Sequence, residues 1–508
     1  MQTGALLFDY VGHGRAEMLS HERVLTLNDF KNFNNTNLPL WITVGCDIMP
    51  YDGQIENIGE AAVLNEKGGA VATYGTARTV YTNLNKNMNM QFMQALFTPV
   101  DGRIVSIGEA QRIAKNKLVS GYSSRDISYN KLAYQLMGDP ALVLHIPTEK
   151  IVIDSLNGVA DLYNTIVTLK AGSIATIAGH VENGGMVLSD YEGTVSLMVR
   201  DCEEHIVCRL NNTLEGSTPF SYYDRPNVIF SGSGAVRNGK FSISFTVPLD
   251  IRYSNETGMI NAFACSDKKL LANGYNSTFL VGGTETVRND SIGPSIYCYL
   301  NTPDFVNGGK VNTTPYFVAQ LNDKDGLNTS GAGIGHDLEL IIDNDASRTY
   351  VLNDNFTFDF GSYVSGSTFY HIPELAEGRH TLKFRAWDAM NNPSTAELQF
   401  NVVRGLEPTV SDISVSQNPA RTATTFIVNH DRSGSNIDVE LEVYDMSGRL
   451  LWTHASSGMA ATSTYTYDWN LCTNAGAPLQ TGVYLYRARV GSDGGSNTSK
   501  ARRLVVIR

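Results

Sequence analysis

The sequence lacks long apolar runs, zinc-binding motifs and an excess of positive charge. Its 508 residues contain no stretch of about 18 consecutive apolar residues, so no segment is expected to cross a bilayer as a helix. The net charge of −12 argues against nucleic acid or an anionic membrane surface as a partner. Neither CxxC nor HExxH spacing occurs, so a zinc site is not expected.

Cysteine is also scarce, and the six cysteines in this length do not form a disulfide scaffold. Cys202 and Cys208 enclose five residues, which allows a local disulfide if a turn lies between them. Cys265, Cys298 and Cys472 lie in strand-like surroundings and are expected to be buried thiols. Cys46 is the cysteine whose position indicates chemistry.

The N-terminal part of the chain, residues 1–147, alternates strand and helix signals, which predicts a mostly parallel sheet. The signals place strands at 5–11, 40–45 and 70–75, and helices near 57–67, 87–97, 106–120 and 128–137. Asp126–Ser128 is predicted to cap the last of these helices. We therefore expect an α/β domain at this end of the chain.

After residue 147 the apolar period changes to two, which is typical of β-sandwiches. The turn signals divide this part into 148–285, 286–408 and 409–508. A chain of this length exceeds one hydrophobic core, so three or four domains are expected.

A cluster of Asp and Asn residues in the third predicted domain is a weak calcium candidate. Asp323, Asp325 and Asn328 supply oxygen atoms around a glycine-containing turn. The spacing departs from that of an EF-hand loop, and such turns are common without a metal. No other cofactor is expected.

Two predicted strands end in a histidine and a cysteine. His13 follows the first strand and Cys46 follows the second. Because chemistry in an open α/β sheet gathers beyond the carboxyl ends of the strands, we expect the two side chains to lie close together. A histidine beside a thiol generates a thiolate, which attacks carbonyl carbons. The alternative is a core histidine and a core cysteine without a chemical role.

A third predicted strand ends at the same edge of the sheet. Thr76 and Arg78 follow it, and they are candidates for the wall of a substrate pocket, where Arg78 is suited to a carboxylate or phosphate. The alternative for Arg78 is an ordinary arginine of a surface loop.

The motif Val11-Gly12-His13-Gly14, followed 33 residues after the histidine by Gly45-Cys46, resembles the gingipain-type cysteine peptidases, relatives of the caspases. The likeness covers about the first 147 residues, and it is closest to the sortase branch of the family, which serves type IX secretion. The resemblance implies the C-terminal half of an α/β, caspase-like, three-layer domain, followed by several all-β immunoglobulin-like sandwiches.

The resemblance also implies roles for individual residues. Cys46 would be the nucleophile, and His13 the general base and acid. The backbone N–H groups of Gly14 and Cys46 would form the oxyanion hole. In the family the acidic partner of the histidine and much of the specificity pocket precede the histidine. With 12 residues before His13, the chain is expected to be the C-terminal part of a longer protein and to be inactive alone.

The function implied by the resemblance is that of a cell-surface cysteine sortase of the type IX secretion system. Such an enzyme cleaves C-terminal signal domains from cargo proteins and joins the cargo to anionic lipopolysaccharide on the outer face of the outer membrane. Residues 409–508 resemble a type IX signal domain, which implies an outer-membrane β-barrel anchor as partner. The alternatives are a gingipain-like secreted cysteine endopeptidase and a non-catalytic β-sandwich surface adhesin.

Overall fold

The computed structural model describes residues 4–120, 129–210, 218–285 and 291–507. The cap predicted at Asp126–Ser128 lies outside the described residues. The chain forms two compact units, which divide between Ile146 and Pro147. Within the described ranges, every helix is too short or too polar to span a membrane.

The N-terminal unit is built on a four-stranded sheet of order β1-β5-β6-β7. The first three strands of this order are parallel and β7 is antiparallel to β6, while β2, β3 and β4 form a small separate sheet. The strands are β1 Leu7–Val11, β2 Gly14–Arg15, β3 Met18–Leu19, β4 Leu25–Thr26, β5 Leu40–Val44, β6 Ala72–Thr76 and β7 Tyr134–Gly138. The helices are α1 Leu27–Asn32, α2 Ile58–Leu64, α3 Thr82–Phe97, α4 Ile107–Ser120 and α5 Tyr129–Ala133.

The central strand β5 is buried on both faces, which makes the unit three layers deep. Successive side chains of a strand point to opposite faces. Leu40, Ile42 and Val44 share an apolar cluster with α3 and α4 on one face. Trp41 packs on the other face with α1 and α2, its ring 5.1 Å from that of Phe30. Helices therefore cover both faces of the sheet around β5.

The predicted strands at 5–11, 40–45 and 70–75 are confirmed to within two residues. The helix predicted over 128–137 is wrong beyond residue 133, because Tyr134–Gly138 pairs with β6 as an edge strand. Its side chains alternate with period two, Tyr134 and Leu136 packing on one face of the sheet and Met137 on the other. Pairing with β6 thus prevails over local helix propensity.

In its described residues the second unit is all-β apart from two short 3-10 helices, Ala346–Arg348 and Asn353–Asn355. Its first group of strands is β8 Glu149–Leu156, β9 Thr168–Ala171, β10 Ile174–Asn183, β11 Met186–Val187, β12 Gly193–Arg200, β13 Glu204–Val207, β14 Ser221–Asp224, β15 Val228–Val236, β16 Lys240–Thr246, β17 Glu256–Thr257, β18 Met259–Ser266, β19 Leu271–Asn276 and β20 Leu280–Thr284. These strands form sheets of eight, three and two strands.

Two further groups of strands follow along the chain. The second group is β21 Ser295–Leu300, β22 Lys310–Val311, β23 Tyr316–Asn322, β24 Leu327–Asn328, β25 Glu339–Ile342, β26 Thr349–Val351, β27 Thr357–Phe358, β28 Ser365–His371, β29 Gly378–Asp388 and β30 Pro393–Val402. The third is β31 Val410–Val415, β32 Thr424–His430, β33 Asn436–Tyr444, β34 Leu450–Met459, β35 Thr464–Trp469, β36 Gly482–Ser492, β37 Gly495–Thr498 and β38 Arg502–Val506. Each of these groups forms two sheets.

The hydrophobic cores do not follow the three groups of strands. One continuous apolar cluster extends from Ile151 to Val402 and joins the first two groups. At the junction the ring of Phe230 stacks on Phe245 at 4.5 Å and lies 5.3 Å from Phe358. The third group has a separate core. The predicted division at 285 therefore separates sheets but not cores.

The local disulfide considered for Cys202 and Cys208 is not formed, since both are free thiols. Strand β13 runs between them as extended chain, where the bridge requires a turn. Cys202 is buried, and its sulfur accepts a hydrogen bond from Ser254 Oγ at 2.9 Å.

Candidate active site

His13 and Cys46 both lie at the carboxyl edge of the main sheet, just past the ends of β1 and β5. The parallel pair β1–β5 ends with Val11 opposite Val44, and Gly12 N continues the pairing by donating to Val44 O at 3.1 Å. His13 and Cys46 each follow two residues after these strand ends. The strand register therefore places at one edge of the sheet two residues that are 33 positions apart in the sequence.

The two residues line one cavity of about 500 Å³. The ends of β1 and β5 form one side of this cavity, which we call the thiol cavity. Helix α3 forms the other side, through Thr82, Asn85, Lys86, Asn89 and Met90. A thiol, an imidazole and several amide groups thus face a common space.

The backbone around Cys46 depends on glycine at position 45. A Cβ atom there would lie 2.6 Å from Gly12 O and 2.8 Å from Ile48 Cδ1, closer than real contacts allow. The same Cβ would lie 3.5 Å from Gly14 N. The chain after β1 and the chain after β5 therefore approach each other more closely than side chains permit.

Cys46 is half-buried and its thiol has a defined partner. Sγ donates a hydrogen bond to Val80 O at 3.6 Å. The next residue, Asp47, has a φ of +51° and its N–H donates to Arg78 O at 3.3 Å. The segment after β6 therefore supports the turn that carries the thiol.

His13 is exposed, and its backbone is fixed by two donors. Tyr10 Oη and Ser20 N donate to the His13 carbonyl at 2.6 and 2.8 Å. The imidazole also borders a second cavity of about 500 Å³, whose lining includes the basic residues Arg15, His21 and Arg23. We call this space the basic cavity. His13 lies between the two cavities.

Thr76 and Arg78 support the site from behind. Thr76 is buried and its hydroxyl donates to Gly45 O, next to the thiol residue. Arg78 pairs with Asp52 at 3.0 Å on the surface, and this hydrogen bond holds the pKa of the Asp52 carboxyl below its usual range. Neither residue is among the described residues that line the thiol cavity, so their role in substrate binding stays a prediction.

Sequence reasoning missed the contribution of α3, because the helix starts at Thr82 and was predicted to start at 87. Asparagine at positions 83, 85, 87 and 89 is a signal that was available, since asparagine is a poor residue for a helix interior. Asn85 and Asn89 are four residues apart and so share one face of the helix.

Burial alters the acid–base properties of groups behind the thiol cavity. The pKa of Asp9 is raised, because burial disfavours the carboxylate more than the hydrogen bond from Asn89 Nδ2, at 2.8 Å, favours it. Burial also raises the pKa of Tyr134, and the nearby Asp9 and Cys46 act in the same direction. Tyr134 is therefore a neutral hydrogen-bond donor at physiological pH.

The calcium candidates are engaged in hydrogen bonds within the protein. Asn328 Oδ1 accepts from Ser330 N and Oγ, and its Nδ2 donates to Asp250 Oδ2 at 2.6 Å. Asp323 Oδ1 accepts from the backbone N–H of Asp325 at 2.8 Å. Among the residues that the structure describes, no group of three or more His, Cys, Asp or Glu side chains is arranged to hold a metal ion.

The family model for peptidase family C25 matches residues 1–145. This part of the chain is similar to peptidase family C25. The match covers β1 to β7 and includes both His13 and Cys46, and it confirms the resemblance to gingipain-type cysteine peptidases. The N-terminal unit is therefore similar to cysteine peptidases.

Solved structures give matches to the same group of proteins. Dimeric latent PorU from Porphyromonas gingivalis is 32% identical, with a TM-score of 0.38, over 87% of this chain and 41% of the PorU chain. The complex of Porphyromonas gingivalis RgpB pro- and mature domains is 15% identical, with a TM-score of 0.27, over 55% of each chain. The chain thus spans less than half of the length of that PorU chain. No curated protein sequence matches it.

Proposed function

We propose that Cys46 and His13 are the nucleophile and the general base of a cysteine peptidase with a caspase-like fold. The observation that carries the proposal is their common position: they follow paired parallel strands at equivalent points and line the same cavity. The match to family C25 over this region supports the same assignment.

The first chemical step forms a thioester. His13 takes the thiol proton, and the Cys46 sulfur attacks the carbonyl carbon of the scissile peptide bond. The resulting oxyanion accepts hydrogen bonds from the backbone N–H groups of Gly14 and Cys46. The short distance of 3.5 Å between Gly14 N and a Cβ placed on Gly45 supports this arrangement. Collapse of this intermediate breaks the C–N bond, and His13 returns the proton to the leaving amine.

The second step releases the acyl group. An incoming amine attacks the thioester carbonyl, His13 removes its proton, and the thiolate leaves. When water attacks instead, the product is a free carboxylate. The acceptor therefore decides between transpeptidation and hydrolysis.

We propose that the enzyme is a sortase of the type IX secretion system, which removes C-terminal signal domains from cargo and joins the cargo to anionic lipopolysaccharide. The basic cavity supports an anionic acceptor, since Arg15, His21 and Arg23 adjoin the histidine that would deprotonate its amine. In this proposal the immunoglobulin-like sandwiches follow the catalytic unit. The last of them, 409–508, anchors the enzyme to an outer-membrane β-barrel partner on the cell surface.

The test is a reaction that offers both acceptors. A peptide spanning the junction of cargo and signal domain is incubated with the full-length protein that contains this chain and with an anionic glycan that carries a primary amine, and the products are weighed by mass spectrometry. We expect an amide-linked product from the wild type and no cleavage by Cys46→Ala. If hydrolysis is the only reaction, a gingipain-like endopeptidase is favoured. If Cys46→Ala also cleaves the peptide, or if neither protein cleaves it, the remaining alternative is a non-catalytic surface adhesin.

The acceptor site has a separate test. Arg15→Gln with Arg23→Gln is expected to reduce transfer to the anionic glycan at least fivefold while leaving transfer to a neutral amine unchanged. Arg103→Gln is the matched control, because Arg103 is an exposed arginine of the same unit outside both cavities. Equal transfer to both acceptors by the double variant would contradict an anionic acceptor in the basic cavity.

A further inference from the structure

We propose that the thiol cavity receives the side chain that precedes the scissile bond, and that it selects an uncharged carboxamide, asparagine or glutamine, through Asn85. The inference rests on the proposed function, because it names the substrate class of the same site. It is carried by the hydrogen bonds of two asparagines on the cavity face of α3.

Asn85 has a fixed orientation. Its Oδ1 accepts hydrogen bonds from Tyr134 Oη at 3.1 Å and from Asn130 Nδ2 at 2.9 Å. Tyr134 stays protonated because burial raises its pKa. With the oxygen held by two donors, the amide cannot rotate without losing both bonds. The Asn85 Nδ2 donates to no acceptor among the described residues, so it is available as a donor on the cavity side.

Asn89 presents the complementary group. Its Nδ2 donates to Asp9 Oδ2 at 2.8 Å, which fixes its orientation as well. Its Oδ1 is buried and, within the described part of the chain, accepts no hydrogen bond. A buried acceptor without a donor is unfavourable, and a ligand that donates to it relieves this.

A carboxamide side chain satisfies both asparagines at once. Its carbonyl oxygen accepts from Asn85 Nδ2, and its amino group donates to Asn89 Oδ1. The apolar Val11, Val44 and Met90 line the same cavity and suit the methylene groups of such a side chain.

The charges near the thiol cavity are of both signs, so they favour neither a basic nor an acidic side chain over the other. Lys86 lines the cavity and opposes a basic side chain. Asp9, which lies behind Asn89, opposes an acidic one. Together with the hydrogen-bonding groups of Asn85 and Asn89, these charges make a neutral, hydrogen-bonding side chain the best ligand for the thiol cavity.

The experiment measures which peptide electrophiles modify Cys46. Peptides that differ only in the last residue before the reactive group carry asparagine, glutamine, leucine, arginine or aspartate, and mass spectrometry follows the rate of modification. Leucine is close to asparagine in shape but forms no hydrogen bonds. We expect asparagine or glutamine to react at least tenfold faster than leucine, arginine or aspartate. Equal rates for asparagine and leucine, or a preference for either charged residue, would overturn the inference.

Asn85→Asp provides the matched variant. An aspartate keeps an oxygen for Tyr134 and Asn130 but replaces the donor with a second acceptor. We expect the preference to shift at least tenfold from asparagine towards arginine. Gln94→Glu is the control, because it adds the same charge at an exposed position of α3 outside the cavity, and it should keep the wild-type preference.

The two proposals fail in different ways. If no electrophile in the series modifies Cys46 faster than it modifies Cys472, the proposed function fails and the inference falls with it. If Cys46 is modified selectively but with another order of preference, the proposed function stands and the inference is wrong. The wild-type series decides the question even if Asn85→Asp does not fold.

Discussion

At the scale of single residues, Gly45 sets how closely the two reactive segments approach. We expect Gly45→Ala to lower the free energy of unfolding of the N-terminal unit by about 1–3 kcal/mol, because the new methyl group overlaps Gly12 O and the Ile48 side chain. The same displacement separates Cys46 from His13, so modification of Cys46 by a peptide electrophile should slow at least tenfold.

Gly458→Ala is the control for this prediction, since no atom lies within 4 Å of its Cβ position and its φ is not positive. It should leave both the unfolding midpoint and the rate of Cys46 modification unchanged. If Gly45→Ala keeps the wild-type unfolding midpoint and rate of Cys46 modification, the backbone at residue 45 relaxes freely. Glycine would then not be required for the close approach of the segments that follow β1 and β5.

His430 provides a residue-scale prediction of pH dependence. Burial lowers its pKa, with Arg432 adding to the effect and Asp431 opposing it. In the unfolded chain the imidazole takes up a proton near pH 6.5, but the folded protein resists this. The free energy of unfolding should therefore fall as the pH drops below about 6.5 towards the lower folded pKa.

We expect His430→Gln to reduce this loss of stability between pH 7 and pH 5, measured by urea unfolding. Part of the loss should persist, because burial also lowers the pKa of His371 and His454. The exposed His205→Gln should behave as the wild type. An unchanged pH dependence in His430→Gln would mean that the imidazole does not contribute.

At the scale of elements, the sequence predicted the strands that carry the site better than the helix that faces it. Strands β1 and β5 are short apolar runs, each followed by a glycine, so their ends can be predicted from the sequence. The positions of His13 and Cys46 just after these ends follow from the same pattern. The start of α3 could not be predicted from the sequence, because asparagine-rich segments carry weak helix signals. Helix α3 gains its stability from packing instead. The specificity candidate Asn85 was missed for that reason.

The difference between local sequence signals and tertiary packing also explains why a helix was predicted where the structure has strand β7. The segment from Tyr134 to Gly138 has no strong local preference, and its conformation is decided by pairing with β6. Such pairing connects residues about 60 positions apart, which local pattern reasoning does not detect. The buried Arg432 is a further example, since one of its partners, Leu406 O, belongs to the segment that precedes β31.

Arg432 holds the chain that leads into the last group of strands. Its side chain is 0% exposed, pairs with Asp431 at 2.6 Å and donates to Leu406 O at 2.8 Å. We expect Arg432→Leu to destabilise the region 410–506 by about 3–5 kcal/mol, because Asp431 is left largely buried without its cation. Trp452 and Trp469 lie in that core and report its unfolding by fluorescence.

The exposed Arg421→Leu is the control for this substitution and should change the unfolding free energy by less than about 0.5 kcal/mol. Limited proteolysis should also cut near Leu406 more readily in Arg432→Leu. Equal stability of the two variants would show that the buried ion pair is dispensable.

At the scale of the whole molecule, the region 410–506 has its own core but a polar contact with the preceding strands. Asn312 Nδ2 donates to Ser435 Oγ at 2.9 Å, and both residues are buried. Thr314 shares a hydrogen bond with the same hydroxyl at 3.0 Å. These contacts favour a region that stays docked on the preceding strands of the same unit.

We expect deletion of 409–508 to leave the chemistry of His13 and Cys46 intact in vitro, since neither lies in that region, but to leave the enzyme in the periplasm. Cell fractionation of the deletion variant measures the outcome. Surface display without 409–508 would contradict its role as address and anchor, and would favour an adhesive module.

The most direct test of the account is the modification of Cys46 by a peptide electrophile in the wild type and in His13→Ala, followed by peptide mapping. The account predicts that the wild type is modified at Cys46 ahead of the other five cysteines, and that His13→Ala reacts about 10²–10⁴-fold more slowly, which is the usual contribution of a general base. Equal rates in the two proteins, or preferential modification of another cysteine, would contradict the claim that these residues form one catalytic pair.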